Sequence, residues 1–488
     1  MRISDMESML MTEGLLVRPT GMDCVVSSVT YNSKEAAENS LFICKGATFR
    51  REYLLEAVDR GAACYLSDRD YDVLIPGVIV TDIRKAMALC ACMFYGHPSK
   101  KLDLIGITGT KGKTTVSYMT KAVLQQAGRG YGLLSSIAND TGRRCEEAHL
   151  TTPESLDLQA MLDEMVRSGL VGGVMEVSSQ GLQYDRVYGT VFSTGVFLNI
   201  GEDHISPIEH RDFDEYFSAK KRIFSYTDDA IINADDEFAD EILETARGNG
   251  CRIRTYGILR EADVMAYNIA RAGRYTTFSV RAKEFNRKFQ IPMLGAFNVY
   301  NALAAICVCM DRVDVSFIQK GLKKVRVPGR MEVFGDGEIT VIIDYAHNKM
   351  SFETLFRSLR EEFPGHRLVS VYGCPGGKAF LRRKDLGAVS GKMADLTILT
   401  AEDPGYEDVE AINEEIAGHV KAAGGKAVSI ADRAEAVERA IMDARAGDVI
   451  VITGKGEETF QKCRGKYDPY ESDLVLTKRF MKARIPKQ

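Results

Sequence analysis

Leu104-Ile105-Gly106-Ile107-Thr108-Gly109-Thr110-Lys111-Gly112-Lys113-Thr114-Thr115 is the stretch on which the reading of this chain turns. Its first residues are apolar and β-branched, as a strand requires. Val116, Met119, Val123 and Leu124 then recur at helical spacing up to Gly128. Strand, glycine loop and helix in that order make a phosphate cradle. Gly109 and Gly112 let the backbone N–H groups of Thr110, Lys111 and their neighbours turn inward around a phosphate chain, and the helix N-terminus at Thr114-Thr115 adds its positive end. Lys113 is placed to meet the terminal phosphates, and Thr114 to hold Mg²⁺. The general P-loop pattern has a glycine where this chain has Ile107, so the loop is a variant form.

Outward from the loop, short β-branched runs recur, each followed by a turn and a stretch of helical periodicity. That is the pattern of a parallel sheet covered by helices, and we expect an α/β architecture. Strands are expected at 104–108, 174–177, 196–199, 230–233, 341–344, 368–372, 396–400 and 449–453. At 488 residues and 45% hydrophobic content, the chain is long enough for several separately cored units. The polar turn Gly96-His97-Pro98-Ser99-Lys100-Lys101 and the break at Val327-Pro328-Gly329-Arg330 divide it into three expected domains, 1–100, 101–329 and 330–488.

Composition narrows the partners. The 63 basic and 68 acidic residues are interspersed and leave a net charge of −5, too weak a field to hold a polyanion or an anionic membrane, so no nucleic acid is expected. The start, MRISDMESMLMTEG, has three acids and no apolar run of signal-peptide length, and no stretch reaches the roughly eighteen apolar residues of a membrane span. We expect a cytoplasmic monomer with no membrane insertion. The eleven cysteines match no zinc or iron–sulfur spacing and read as reduced, mostly buried thiols.

Beyond the loop, further segments occur in one order. They are Thr151-Thr152-Pro153, Met175-Glu176-Val177-Ser178-Ser179, Asn199 through Asp203-His204, and Tyr216-Phe217-Ser218-Ala219-Lys220. Gly295-Ala296-Phe297-Asn298 with Asn301, Pro328-Gly329-Arg330-Met331-Glu332, Asp344-Tyr345-Ala346-His347 and Gly454-Lys455-Gly456 follow. With the loop, this set resembles the Mur ligase family, which adds amino acids to the cytoplasmic precursor of peptidoglycan, and within it the MurE branch. The resemblance spans the chain. It implies a three-domain Mur ligase fold: a small N-terminal α/β domain binding the uridine nucleotide, a central P-loop ATPase domain with a mostly parallel sheet, and a C-terminal Rossmann-like α/β domain binding the amino acid.

A carboxylate is a poor electrophile, so such a ligase first converts it to an acyl phosphate with ATP. The charge gathering between two anions calls for metal and lysine. Glu176, at the end of an expected strand, is a candidate Mg²⁺ ligand and His204 a second, with hard oxygen ligands preferred. The resemblance implies that Lys220 is carbamylated by CO₂ and holds a second metal; residue chemistry alone gives only a lysine beside Lys221 and Arg222. It also implies adenine-side contacts from Asn298 and Asn301, with Arg330 and Asp344 reaching ATP from the next domain. Closure of the domains would keep water from the acyl phosphate.

Thr151, Thr152, Ser178, Tyr184 and Arg186 resemble positions that hold the muramyl peptide, with Arg186 able to grip a carboxylate in bidentate fashion. Ser33 resembles the uridine-site serine. The chain departs from the branch here, reading Asn32-Ser33-Lys34 for Asp-Ser-Arg and Ser178-Ser179-Gln180 for Ser-Ser-His. Arg383 resembles the arginine that takes the amino acid's α-carboxylate, and Gly454 and Glu458 fall in the segment closing that pocket. Where branch members selecting meso-diaminopimelate carry Asp-Asn-Pro-Arg, this chain has Glu402-Asp403-Pro404-Gly405. Gly405 supplies no guanidinium for a second carboxylate. The acids Glu402, Asp403, Glu407 and Asp408, with Glu457 in place of the usual histidine, suit a side-chain ammonium instead.

The expected activity is ATP-dependent ligation of L-lysine or another diamino acid to UDP-N-acetylmuramoyl-L-alanyl-D-glutamate. Two alternatives stay open: the same chemistry on a different γ-glutamyl or specialised-metabolite carboxylate, and an ATP-binding regulatory or assembly protein without catalysis.

Overall fold

The computed structural model describes every residue except Ala47, His204, residues 206–208, Arg274, Asp336 and residues 485–488. The chain forms two compact units. One comprises Met1–Met265, Ala282–Glu284 and Tyr300–Gly321, the other Ala266–Arg281, Phe285–Val299 and Leu322 onward.

The first unit holds two sheets. A five-stranded sheet runs in the order Leu16–Arg18, Gly77–Val80, Cys64–Ser67, Ser40–Ile43, Ser28–Thr30, parallel except at the Leu16–Arg18 edge. Alternate residues serve opposite faces, as the two-residue period of a strand demands. Leu41, Ile43, Leu66, Val78 and Val80 pack with Ile3, Met6 and Leu10 of helix Ile3–Thr12 and with Ala86, Met87 and Cys90 of helix Ile83–Phe94. Phe42, Tyr65 and Ile79 pack with Leu54 and Ala57 of helix Arg51–Asp59.

The larger sheet of this unit places Arg252–Gly257, Thr227–Asn233, Phe192–Phe197, Asp103–Thr108, Gly172–Glu176 and Tyr131–Leu134 side by side and parallel. Ala138–Asp140 and Cys145–Glu147 continue it antiparallel. Asp103–Thr108 is therefore an inner strand, and its carboxyl end opens into the glycine loop. Open parallel sheets bind ligands at such carboxyl ends.

In the second unit a six-stranded sheet runs Glu332–Gly335, Thr340–Asp344, Val449–Thr453, Leu368–Tyr372, Leu396–Leu399, Ala427–Ser429. Only its first pair is antiparallel. Val341, Val371, Ile398, Ile450 and Ile452 from its inner strands pack with Ala436, Val437 and Ala440 of helix Arg433–Met442 and with Leu476 of helix Asp473–Arg484. The strands Tyr275–Arg281 and Asn286–Ile291 pair antiparallel.

Each expected strand is present. The one expected at 196–199 is displaced, because the strand ends at Phe197 and Asn199 has turned away to hydrogen-bond the glycine loop. All eleven cysteines are free thiols, with only Cys145 fully exposed. Among the described residues no helix is long and apolar enough to cross a membrane.

Candidate active site

The cradle is built as its glycines require. Helix Lys113–Gln126 begins directly after Gly112, whose φ of 89° is left-handed, and Gly109 has a φ of 150°. Asn199 fixes the loop between them: its Oδ1 accepts from the Lys111 N–H at 2.9 Å, its Nδ2 donates to Lys111 O at 3.1 Å, and its carbonyl accepts from the Thr110 N–H at 2.9 Å. The Thr110 hydroxyl lies 3.0 Å from Tyr216 Oη, and the Lys111 ammonium pairs with Asp203 at 3.0 Å. Lys113 Nζ donates to the carbonyls of Gly109 (2.8 Å) and Thr110 (3.2 Å), so its ammonium lies across its own loop. Thr115 is buried one position beyond Thr114.

A Cβ on Gly112 would lie 2.4 Å from Asn301 Oδ1. With its left-handed backbone, Gly112→Ala is expected to cost about 1–3 kcal/mol of stability and to weaken nucleotide binding. A thermal melt with and without ADP checks both effects, and the shift that ADP produces should shrink.

Beneath the loop, parallel pairing sets Glu176 opposite Ile107. Glu176 is 1% exposed, and its Oε1 accepts from Ser136 N at 2.9 Å and from Ser136 Oγ at 3.3 Å. Ser136 Oγ is in turn 3.0 Å from Thr114 Oγ1. The donor set is thus one carboxylate and two hydroxyls at the mouth of a phosphate loop. That fits Mg²⁺, which binds one or two carboxylates together with substrate phosphates rather than an all-protein cage. No cluster of three His, Cys, Asp or Glu residues suited to a metal occurs among the described residues. His204, the other candidate ligand, lies outside the described residues.

Lys220, on helix Phe213–Lys221, reaches the same loop, with Nζ donating to Gly109 O at 2.9 Å. It is 1% exposed. Burial first, then the charge of Lys113, pulls its ammonium well below the ordinary lysine value; Asp203 opposes and Lys111 adds to the pull.

The expected acceptor residues divide. Thr152 and Ser178 interlock: Thr152 Oγ1 donates to Glu176 O at 3.0 Å, Ser178 N donates to Thr152 Oγ1 at 2.9 Å, and Ser178 Oγ caps the next helix at Gly181 N. Arg186 donates to Thr152 O at 3.1 Å and pairs with Glu154 at 2.8 Å. Thr151 is half-buried beside them. Tyr184 lies under the Arg84 guanidinium, 4.1 Å from ring to cation. Ser33 does not join this cluster; its hydroxyl donates to Glu56 at 2.7 Å.

Sequence reasoning missed Lys45 and Glu154. Their ion pair joins the five-stranded sheet's region to the larger sheet's region, with Lys45 also 4.4 Å from the Tyr31 ring. Against the desolvation that burial imposes, Lys45, Arg186 and Arg84 hold the Glu154 carboxyl below its ordinary value. Three cations around one acid make a surface suited to a polyanionic substrate. Ser136 was missed as well; two serines at the carboxyl end of a parallel strand were the available signal.

In the second unit, Glu402, Asp403, Gly405, Gly454 and Glu458 gather at the carboxyl ends of Leu396–Leu399 and Val449–Thr453. The buried Lys455 ammonium bonds Asp403 Oδ1 at 2.9 Å and pairs with Glu458, which also accepts from Tyr345 Oη. Gly405 has a φ of 62° and exchanges backbone bonds with Lys462 and Arg464. Arg383 is 4% exposed and already holds Glu407 at 2.9 Å and Glu415 at 2.7 Å.

The acidic loop is therefore less negative than its sequence implies. Glu407 is matched by Arg383, Asp403 by Lys455, and Asp408 caps helix Val409–Ala422. Glu457 pairs with Arg326. Glu402 is the exception. It is 8% exposed, makes no hydrogen bond or ion pair with the described residues, and burial raises its carboxyl to about 7 even though Arg433, Arg382 and Lys455 pull the other way.

Also in this unit, Arg330 stacks over Tyr345 at 4.7 Å, and Asp344 accepts from the Met331 and Ala346 N–H groups. Asn298 is 1% exposed and donates to Leu294 O at 2.8 Å.

A glycine cradle at the carboxyl end of an inner parallel strand, floored by a buried glutamate and two hydroxyls, defines a P-loop nucleotide-binding protein. The Mur ligase middle domain profile matches residues 107–309, and the Mur ligase, glutamate ligase domain profile matches residues 329–456. The chain is 40% identical over 465 residues to a Streptococcus pyogenes protein named UDP-N-acetylmuramoyl-L-alanyl-D-glutamate–L-lysine ligase, covering 93% of this chain and 92% of the relative.

Among solved structures, a UDP-N-acetylmuramoyl-L-alanyl-D-glutamate–2,6-diaminopimelate ligase superposes over 100% of both chains, with a TM-score of 0.72 at 24% identity. MurF ligase from Thermotoga maritima in complex with ADP superposes over 94% of this chain and 96% of its own, with a TM-score of 0.61 at 17% identity. These two carry the likeness of fold. The chain belongs to the Mur ligase family and is an ATP-dependent ligase of α/β, three-domain type.

Proposed function

We propose that this protein transfers L-lysine to UDP-N-acetylmuramoyl-L-alanyl-D-glutamate, forming ADP and phosphate by way of an acyl phosphate, in the cytoplasm. The observation that carries the choice of lysine is Glu402. It is a buried carboxylate that makes no hydrogen bond or ion pair with the described residues, in a pocket where Gly405 offers no guanidinium. A buried charge without a partner is costly, so the site gains most from a ligand that brings a cation. The name of the Streptococcus pyogenes relative agrees with this choice. The domain division that goes with this reading is 1–100 for the uridine nucleotide, 101–329 for ATP and 330–488 for the amino acid.

Lys113 exchanges its loop carbonyls for the terminal phosphates of ATP, and the N–H groups of Gly109 through Thr115 line the phosphate chain. Asn298, Asn301, Arg330 and Asp344 take the rest of the nucleotide. Thr114, Glu176, His204 and Lys220 as its carbamate would hold Mg²⁺, which supplies charge neutralisation between nucleotide and carboxylate. Ser33, Thr151, Thr152, Ser178, Tyr184 and Arg186 bind the acceptor. Arg383 takes the α-carboxylate of the donor, exchanging one of its glutamates for it. Glu402 faces the donor's ammonium, with Asp403, Gly405, Gly454 and Glu458 shaping the pocket.

The protein with ATP, Mg²⁺, the UDP-muramyl dipeptide and an equal mixture of all amino acids should yield one product, heavier by a lysine residue, with ADP released in equal amount. Another amino acid in the product would overturn the donor assignment. No product from this acceptor would overturn the acceptor assignment.

The carbamate has its own test. A neutral amine is the form that attacks CO₂, and the burial of Lys220 favours that form. Isotope-labelled CO₂ should give a carbamate carbon resonance in the wild-type protein and none in Lys220→Ala. Equal signals from both would remove Lys220 from the metal set.

A further inference from the structure

We propose that Arg433 is a positioning residue for the donor amino acid, a buried guanidinium that fixes the distance between the strand end carrying Glu402 and the turn Gly454-Lys455-Gly456. The proposal rests on reading that pocket as the donor site. Leu396–Leu399 and Val449–Thr453 are not neighbours in the sheet, since Leu368–Tyr372 lies between them. No ladder of backbone hydrogen bonds ties their ends together.

Arg433 spans that gap. Its NH1 donates to Ala401 O at 3.2 Å, immediately before Glu402, and its NH2 donates to Thr453 O at 2.7 Å, immediately before Gly454. The same guanidinium forks onto Asp473 at 2.9 and 2.8 Å, and Asp473 Oδ2 accepts the Gly456 N–H at 3.1 Å. One end of the turn is thereby tied to Arg433 directly and the other through Asp473, which the guanidinium holds. Arg433 and Asp473 are 1% and 0% exposed.

The spacing it sets is tight. A Cβ on Gly454 would fall 2.1 Å from Glu402 Oε2, so small changes in separation alter what the carboxylate can reach. A buried ion pair is a weak source of stability compared with apolar packing, and its better attested use is fixing register. Only a planar fork can serve a carboxylate and two divergent carbonyls at once; a lysine ammonium is a point charge on a flexible stem.

The test compares Arg433→Lys with the wild-type full-length protein. The KM for lysine should rise about tenfold or more, while the KM values for ATP and for the UDP-muramyl dipeptide stay within about twofold. An unchanged lysine KM, or an equal rise in all three, overturns the proposal. Should Arg433→Lys fail to fold, Asp473→Asn, which keeps the shape and one acceptor oxygen, decides on the same readings. Lysine-independent product from the wild-type protein would instead refute the pocket assignment, before either variant is measured.

Discussion

Lys113→Ala is expected to lower ligation by at least about a thousandfold while the protein stays folded. Charge develops between the terminal phosphate of ATP and the substrate carboxylate, and removing one aimed donor from such a site costs on the order of 10²–10³ in rate. Lys113 is a full cation inside a half-buried loop, so its loss belongs at or beyond the upper end of that range. In the structure its ammonium donates to the Gly109 and Thr110 carbonyls. Losing two bonds of that kind costs a few kcal/mol at most, small enough to leave the fold standing.

A second effect follows from the same substitution. The charge of Lys113 is the largest influence after burial that depresses the Lys220 ammonium, so its removal lets Lys220 hold its proton more firmly and disfavours the carbamate. ADP release with both substrates present measures the rate, and the labelled-CO₂ signal measures the second effect. Unchanged turnover would take the glycine loop out of the mechanism. ATP hydrolysis that needs neither acceptor nor lysine would favour a nucleotide-driven regulatory protein.

Local chemistry was readable because it is local. Strand, glycine loop and helix follow each other without interruption, and the position of Glu176 at a strand end is a matter of period and length alone. Ser136 was hidden because it approaches Glu176 only through the pairing of Tyr131–Leu134 with Gly172–Glu176, and sheet order is not written in the linear chain. The Lys45–Glu154 and Arg433–Asp473 pairs were hidden for the same reason, being separated by long stretches of sequence.

Charge was misjudged where partners come from elsewhere. The run from Glu402 to Asp408 reads as acidic, yet Arg383 and Lys455 match two of its acids and a helix N-terminus takes a third. Only burial told Glu402 apart from its neighbours, and burial of one acid among several depends on packing that composition does not encode.

Glu402 also gives the sharpest expected pH dependence. With its carboxyl raised to about 7, the side chain is largely neutral at pH 6 and largely ionised at pH 8. A lysine side chain keeps its proton throughout this window, so its ammonium gains a partner only as Glu402 ionises. The KM for lysine should therefore fall as pH rises from 6 to 8, by up to about tenfold per pH unit below 7, and then level off. Glu402→Gln should flatten that profile and raise KM at pH 8 by roughly 10–100-fold.

Stability should move in the opposite direction. The folded value lies above the ordinary 4.5, so the native state holds more protons than the unfolded chain between the two values, and wild-type stability falls as pH rises through that interval. At about 1.4 kcal/mol per pH unit, the displacement amounts to about 3 kcal/mol at pH 8, which Glu402→Gln recovers. A variant that melts higher at pH 8 yet binds lysine worse identifies an acid kept for its ligand. If Glu402→Gln kept both the lysine KM and its pH dependence, the donor ammonium would have to be held elsewhere.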